Sequence, residues 1–390
     1  MKILSVFGTR PEAIKMTPIV HKLASEPGIE SIVCTTGQHR HMLDQVMQRF
    51  AITANYDLDV MTPNQSLNGL TARLFSAVDT LLANVQPDRI LVHGDTTTAM
   101  VSAMAAFHRK IPIAHVEAGL RTRDMTQPWP EEMNRRVVDV LSDLMFAPTQ
   151  SSKANLMAEH LSGRIVITGN TVIDALQLSI RRIDADRLLR DELDASLPTI
   201  DPAKKLLVVT GHRRENFGRG FADICQALRT LADRSDIQII YPVHLNPNVR
   251  NTVLTALGGL PNVGLIEPLD YFQFVRLMQQ AHTIMTDSGG IQEEAPSLGI
   301  PVLVMRDVTE RPEAIEAGTV ELVGTEPMRI VRAVNRLFDD PNARLAARLR
   351  RNPYGDGMAA ERIVSTIVGR PCSEFSTHDL LPNPLQRLSA

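Results

Sequence analysis

The run Leu206-Leu207-Val208-Val209-Thr210-Gly211-His212-Arg213-Arg214-Glu215-Asn216 reads as one strand and the polar turn that ends it. Five apolar or β-branched residues in succession suit a strand buried on both faces. A glycine follows, then an imidazole, two guanidiniums, a carboxylate and an amide. In open α/β sheets ligands bind beyond the carboxyl ends of strands. This mouth therefore presents titratable chemistry to an anionic ligand. A second mouth lies near the N-terminus, where an apolar strand ends in Phe7-Gly8-Thr9-Arg10-Pro11-Glu12.

Outward from these two points, short β-rich runs alternate with longer helical patterns. The first half holds Ile3–Phe7, Ile32–Thr35, Arg89–His93, Ile111–Val116, Asp143–Ala147 and Arg164–Thr168. The second holds Leu206–Thr210, Ile237–Tyr241, Val263–Ile266, Thr283–Thr286, Val302–Met305 and Val320–Val323. Strands separated by helices imply βαβ units and parallel sheets. The fold class is α/β, with two Rossmann-like, doubly wound domains of about six strands each. Residues 1–170 are expected to form the first domain and 171–354 the second. Thr171–Leu176 and Asp184–Leu197 look helical, and the turn-rich Leu197–Pro202 is the expected interdomain connection. A helix over 358–370 is expected to pack back on the first domain. Residues 371–390, with Pro, Ser and Asn and no periodicity, read as a loosely ordered tail.

The 390 residues exceed one compact core and suit two domains. A net charge of -3 leaves no electrostatic footprint for nucleic acid. Arg344, Arg348, Arg350 and Arg351 read as a solvated helix face. Three widely spaced cysteines, Cys34, Cys225 and Cys372, show neither metal spacing nor a disulfide framework, which fits a cytoplasmic protein. The apolar N-terminus is short and runs into a turn, so it reads as a first strand and not as a signal peptide. No apolar run reaches membrane-spanning length.

Several strand ends carry chemistry. Arg10 and Lys15 flank a helix start that suits phosphate, although a surface turn with a Glu12–Lys15 pair explains the same residues. The Gly-x-Gly-x-x-Gly fingerprint and the Walker A loop are both missing. Asp95, in His93-Gly94-Asp95-Thr96, reads on its own as an ordinary N-cap. Glu117 is sharper. A carboxylate at the end of an apolar strand needs a partner, with Arg121 or Arg123 as candidates, or a wet cleft. His115 reads as a core histidine with its hydrogen bonds satisfied. Glu131 and Arg135 are spaced to pair on one helix face. In Thr286-Asp287-Ser288-Gly289-Gly290-Ile291-Gln292-Glu293-Glu294, paired glycines allow backbone N–H groups to approach a pyrophosphate. Glu294 is placed to accept from sugar hydroxyls.

Together these blocks resemble the non-hydrolysing UDP-N-acetylglucosamine 2-epimerases of bacteria. The resemblance rests on Phe7–Lys15, Val92–Thr96, His115–Thr122, Pro130–Arg135, Thr210–Asn216, Asp287–Glu294 and Arg311-Pro312-Glu313, in order over about residues 1–370. It implies a glycosyltransferase-B-like fold with the site in the cleft between two domains, and no cofactor or metal. It also implies reversible conversion of UDP-N-acetylglucosamine to UDP-N-acetylmannosamine. The family reaction eliminates UDP to leave 2-acetamidoglucal, then adds UDP back with C2 protonated on the other face. Each face needs its own proton-handling group.

By matching position, Asp95, Glu117, Glu131 and His212 carry over as catalytic candidates. Arg10, Lys15, Arg135, Arg213, Phe274, Ser288, Gly289, Gly290, Glu294 and Arg311 carry over as substrate-binding candidates. Phe274 would pack on uracil, the Ser288 turn would hold the diphosphate, and Glu294 would take the ribose. Leu269 stands where some members have Gln, which leaves a backbone contact to uracil. Gln38, His39, Gln65, Arg213 and His244 match a second, activating UDP-N-acetylglucosamine site, with His41 where the motif often has Glu or Gln. The family also implies a homodimer, while the charge balance and the short apolar runs are read as no nucleic-acid and no membrane partner. The competing readings are a glycosyltransferase of the same fold, a hydrolysing epimerase and a non-enzymatic nucleotide-sugar sensor.

Overall fold

The computed structural model describes residues 1–37, 40–62, 65–309 and 311–377. The chain divides into two compact units, Met1–Leu178 with Tyr354–Ser376, and Ser179–Pro353 with Thr377.

The first unit is built on a parallel sheet of seven strands. These are β1 (Lys2–Phe7), β2 (Glu30–Thr35), β3 (Tyr56–Asp57), β4 (Arg89–His93), β5 (Ile113–Val116), β6 (Leu144–Ala147) and β7 (Arg164–Ile167), in the order β3-β2-β1-β4-β5-β6-β7. Successive residues of β4, Ile90, Leu91 and Val92, are all fully buried. Helices therefore cover both faces, which is why the strands read as unbroken apolar runs. Leu4, Val6, Ile90 and Val92 pack with Leu74, Val78 and Leu81 of the helix Leu67–Val85. Each such side chain contributes about 1.5–3 kcal/mol on burial.

The second unit carries six parallel strands, β8 (Lys205–Thr210), β9 (Ile237–Pro242), β10 (Val263–Ile266), β11 (Thr283–Thr286), β12 (Val302–Val304) and β13 (Val320–Leu322). Their order is β10-β9-β8-β11-β12-β13. Leu207, Val209, Ile239, Tyr241 and Met285 pack against Phe221, Ile224 and Leu228 of the helix Arg219–Ala232.

In each sheet the strand order reverses direction once. The switch lies between β1 and β4 in the first unit and between β8 and β11 in the second. The crevice at a switch point is where doubly wound sheets hold ligands. The turns after β1 and β4 begin with Gly8 and Gly94. Those after β8 and β11 begin with Gly211 and Asp287.

Three expectations need correction. The first sheet has a seventh strand, β3, whose two residues are too few to give a pattern. The division between units falls between Leu178 and Ser179, inside the continuous helix Thr171–Ala185, so Leu197–Pro202 lies within the second unit. The start of the supposed tail is anchored. Phe375 is 5 % exposed, its N–H donates to Ile167 O at 2.8 Å, and the Arg362 guanidinium sits 5.6 Å over its ring. The helix Ala359–Ile367 belongs to the first unit and packs on the helix Arg10–Ala24. Among the described residues no helix is long and apolar enough to cross a membrane.

Candidate active site

The turn after β1 is organised by Glu12. Thr9 caps the helix Arg10–Ala24, accepting from Glu12 N, and the Glu12 carboxylate reaches back to Gly8 N at 2.9 Å and Thr9 N at 2.8 Å. Its other oxygen accepts from Thr96 Oγ1 at 2.6 Å, joining the turns after β1 and β4 across the switch point. Burial raises the Glu12 carboxyl despite these donors. Glu12 is thus a structural brace and not a partner for Lys15. Arg10 opens the helix and is half-buried. Lys15, one turn on, forms a part-buried ion pair with Glu117.

Glu117 follows β5 with φ +68°, a left-handed conformation unusual for a side-chain-bearing residue. Besides Lys15 it accepts from Asn170 Nδ2 at 2.8 Å, and His93 Nε2 lies 3.4 Å from its other oxygen. Burial alone would push its carboxyl up. The Lys15 charge, His93 and the hydrogen bonds from Lys15 and Asn170 more than offset this and hold it well below the usual range. The expected pairing with Arg121 or Arg123 is overturned. Arg121 is taken by Asp139 at 2.8 Å and Glu159 at 2.7 Å, and Arg123 Nη2 donates to Asn155.

His93 is 3 % exposed and neither ring nitrogen makes a hydrogen bond among the described residues. Burial, followed by the Lys15 and His115 charges, lowers it to about 3 against the pull of Glu117, so the ring is neutral. Asp95 pairs with Arg135, and its carbonyl accepts from Asn134 Nδ2 at 2.9 Å. Its carboxyl is raised, by burial first and by Glu117 and Glu131 besides, against Arg135 and Lys15. Two neighbouring carboxylates are thus driven in opposite directions. A proton delivered to this cluster resides on Asp95 before Glu117.

The helix Glu131–Leu141 supplies the rest of this mouth. Glu131 Oε2 is buried without a partner among the described residues. The expected Glu131–Arg135 pair is absent, because Arg135 turns to Asp95 and, at 3.5 Å, to Glu132. Glu132 is fully buried and accepts from Thr122 N at 3.0 Å and Arg123 N at 3.1 Å, which fixes the loop after Glu117.

In the second unit the organiser is Asp287, fully buried at the end of β11. It accepts from His212 N at 2.9 Å, Arg213 N at 2.8 Å and Asn216 Nδ2 at 3.4 Å, which binds the turn after β8 to the turn after β11. The His212 ring stands 3.4 Å from Asp287 and stacks on His244 at 5.5 Å. Burial lowers His212, with His244 and Arg213 acting the same way and Asp287 opposing. Negative charge arriving beside it favours the imidazolium. Arg213 Nε is buried without a partner among the described residues. Ser288 N donates to Thr286 Oγ1 at 2.9 Å, and Arg311 donates to Glu293 at 2.7 Å. A Cβ on Gly289 would come within 2.7 Å of Arg311 Cζ, so glycine is what lets that guanidinium lie on the turn. Glu294 accepts from Tyr271 OH at 2.8 Å. Phe274, on the helix Tyr271–Gln280, is half-buried.

Two polar mouths, each built at a switch point and each held by a buried carboxylate, set the chemistry to be matched with known proteins. The sequence pattern of the UDP-N-acetylglucosamine 2-epimerase family matches residues 21–368. This chain belongs to that family. The UDP-N-acetylglucosamine 2-epimerase of Escherichia coli K12 is 56 % identical over 369 residues, covering 94 % of this chain and 98 % of the relative. The crystal structure of the Neisseria meningitidis enzyme bound to UDP-GlcNAc superposes with a TM-score of 0.88 at 48 % identity, covering 95 % of this chain and all of the other. The Methanocaldococcus jannaschii enzyme in complex with UDP-GlcNAc and UDP gives 0.78 at 31 % identity, with the same two coverages.

Within this epimerase-family chain, Lys15, Asp95, Glu117, Glu131 and Arg135 gather in one electrostatic cluster, with Arg10 in the adjoining turn. His212, Arg213, Ser288, Gly289 and Arg311 surround the Asp287 turn, and His244 joins them by stacking. Gln65 is engaged locally, accepting from Thr62 N at 3.2 Å and from Arg73. Gln38 and His39 lie outside the described residues. Sequence reasoning overlooked Asn170, Asp139 and the bracing role of Asp287. A buried strand-end Asp and the Gly169-Asn170-Thr171 turn at a helix start were the available signals.

Proposed function

We propose that the chain interconverts UDP-N-acetylglucosamine and UDP-N-acetylmannosamine by inverting C2, without releasing free sugar. The observation that carries this reading is the pairing of opposed carboxylates. Glu117 is held ionised by Lys15 while Asp95 is raised beside it, a combination suited to giving and taking protons. The relatives named above support the substrate.

The C2 hydrogen is weakly acidic, so departure of UDP from C1 assists its loss. Breaking the C1–O bond leaves 2-acetamidoglucal, and the electron pair leaves with the diphosphate. His212, Arg213 and Arg311 offset that developing charge. Return of UDP to C1, with proton delivery to the opposite face of C2, gives the epimer. Asp95, Glu117 and Glu131 are the groups that serve the two faces. The test is proton NMR of UDP-N-acetylglucosamine with the protein in deuterated water. Loss of the C2 proton signal, appearance of UDP-N-acetylmannosamine and no growing pool of UDP are expected. Accumulating UDP with free N-acetylmannosamine would mark a hydrolysing enzyme, and no exchange at C2 a transferase or sensor.

The same reading includes activation by a second UDP-N-acetylglucosamine, and a homodimer. Sigmoidal dependence on UDP-N-acetylglucosamine checks the first, and the sedimentation mass checks the second.

A further inference from the structure

We infer that Asn170 is a positioning residue for the reaction, whose side-chain amide holds Glu117 by one carboxylate oxygen and leaves the other to exchange protons. This rests on the proton-handling role proposed for Glu117. Asn170 stands immediately before the helix Thr171–Ala185 and is 3 % exposed. Its Oδ1 accepts from Val172 N at 3.0 Å, the bond by which an asparagine caps a helix. The backbone is held too. Asn170 N donates to Tyr354 O at 2.6 Å, and its carbonyl accepts from Ile173 N at 3.1 Å. Gly169, with φ +82°, makes the turn before it, where a Cβ would come within 3.3 Å of Gly355 Cα.

The amide has one orientation. A backbone N–H only donates, so the atom facing Val172 is the oxygen. The atom 2.8 Å from Glu117 Oε1 is therefore the nitrogen, and it donates. Turning the amide over would set donor against donor at Val172. This assignment does not depend on the charge of Glu117.

Lys15 Nζ donates to the same oxygen. A carboxylate oxygen has two lone pairs, and these two donors take both on Oε1. Oε2 faces His93 Nε2 at 3.4 Å, longer than an ordinary hydrogen bond, and the turn at Gly94, where a Cβ would lie 3.7 Å away. The titratable and charged groups acting on Glu117 are thus Lys15 from the helix Arg10–Ala24, His93 from β4 and Asp95 from the turn after β4. Lys15 supplies charge, but on a flexible stem with rotatable donors. Asn170, short and pinned through its backbone and Oδ1, supplies direction. It acts through Glu117, as an outer partner orients a working group.

The experiment uses the full chain and two variants that both keep the helix cap. Asn170→Asp preserves volume and the acceptor toward Val172, and changes only the group that faces Glu117. Asn170→Ser keeps a capping oxygen but is too short to reach Glu117. In the serine variant kcat should fall about tenfold with KM within about twofold. In the aspartate variant two carboxylates face each other, and kcat should fall about a hundredfold or more. The acid limb of kcat should move to higher pH in both, by about one pH unit with serine and further with aspartate, because a donor favouring the ionised carboxylate is gone. Either variant matching the parent in kcat and acid limb overturns the proposal, since a residue that only caps its helix tolerates both changes. Nitrogen-15 spectra of the parent decide if neither variant folds. One Asn170 side-chain N–H proton should exchange slowly with solvent, and fast exchange of both overturns the proposal. That spectrum needs no substrate, so it is read separately from the C2 chemistry. Full activity in Glu117→Gln would instead end the proton-handling reading, and the proposal with it.

Discussion

Glu117 is held in a strained backbone by partners distant in sequence, and its behaviour can be tested one atom at a time. Glu117→Gln keeps the volume and removes the charge. Folded protein with turnover reduced at least about a hundredfold is expected in the C2 exchange assay. Lys15→Met leaves a buried carboxylate without its counter-charge, a loss of about 3–5 kcal/mol by chemical denaturation. The sign with pH follows from the depressed carboxyl of Glu117. Its stabilising share is complete above the ordinary 4.5 and is lost as the pH falls toward the folded value. Lys15→Met should abolish that acid-side loss. Both residues were legible as polar groups at strand ends, but their pairing was not. They stand 102 positions apart, and Arg121, the nearer cation in sequence, is consumed by Asp139 and Glu159.

Elements carry two further predictions. Asp174 lies beneath the start of the helix Ala359–Ile367 and accepts from Ala359 N at 3.2 Å and Ala360 N at 2.9 Å. Burial raises its carboxyl to about 7, and those two hydrogen bonds only partly oppose this. A raised acid binds its proton in the folded state while the unfolded chain has lost it. Stability therefore falls as pH rises from about 4 to about 7. Asp174→Asn keeps an acceptor and removes the titration. The difference in melting temperature between variant and parent should grow in the variant's favour across that range. Gly289→Ala tests the turn after β11. Its methyl displaces Arg311, whose flexible end can yield, so the fold survives. UDP affinity, read by calorimetry, should drop on the order of tenfold, the worth of one charged hydrogen bond. Among the described residues, twelve of the thirteen strands were legible because apolar runs bounded by polar turns survive in any parallel sheet. The exception, Tyr56–Asp57, owes its existence to pairing with Cys34 and Thr35, a purely tertiary fact.

The whole molecule divides its chemistry between two units, each with its own sheet and core. The proposed function gives UDP recognition to the second unit and proton handling to the first. Glu117→Gln should therefore keep the full rise in melting temperature that UDP produces in the parent, since a ligand stabilises in proportion to its binding. A lost UDP shift in that folded variant would break the division. The existence of two α/β units was legible from the alternation alone. Their boundary was not, because the separating point lies inside a continuous helix and leaves no Pro or Gly to mark it.

Phe375 has a practical consequence. It docks on β7, an outer strand of the first sheet, and donates to Ile167 O, while Lys153 clasps Glu374 at 2.9 Å. Cutting the chain at Gly369 would uncover the rim of that sheet, the kind of surface on which separate molecules zip together. Shortened or tagged versions should therefore be joined after Thr377. Versions cut earlier are the ones to watch for turbidity on concentration.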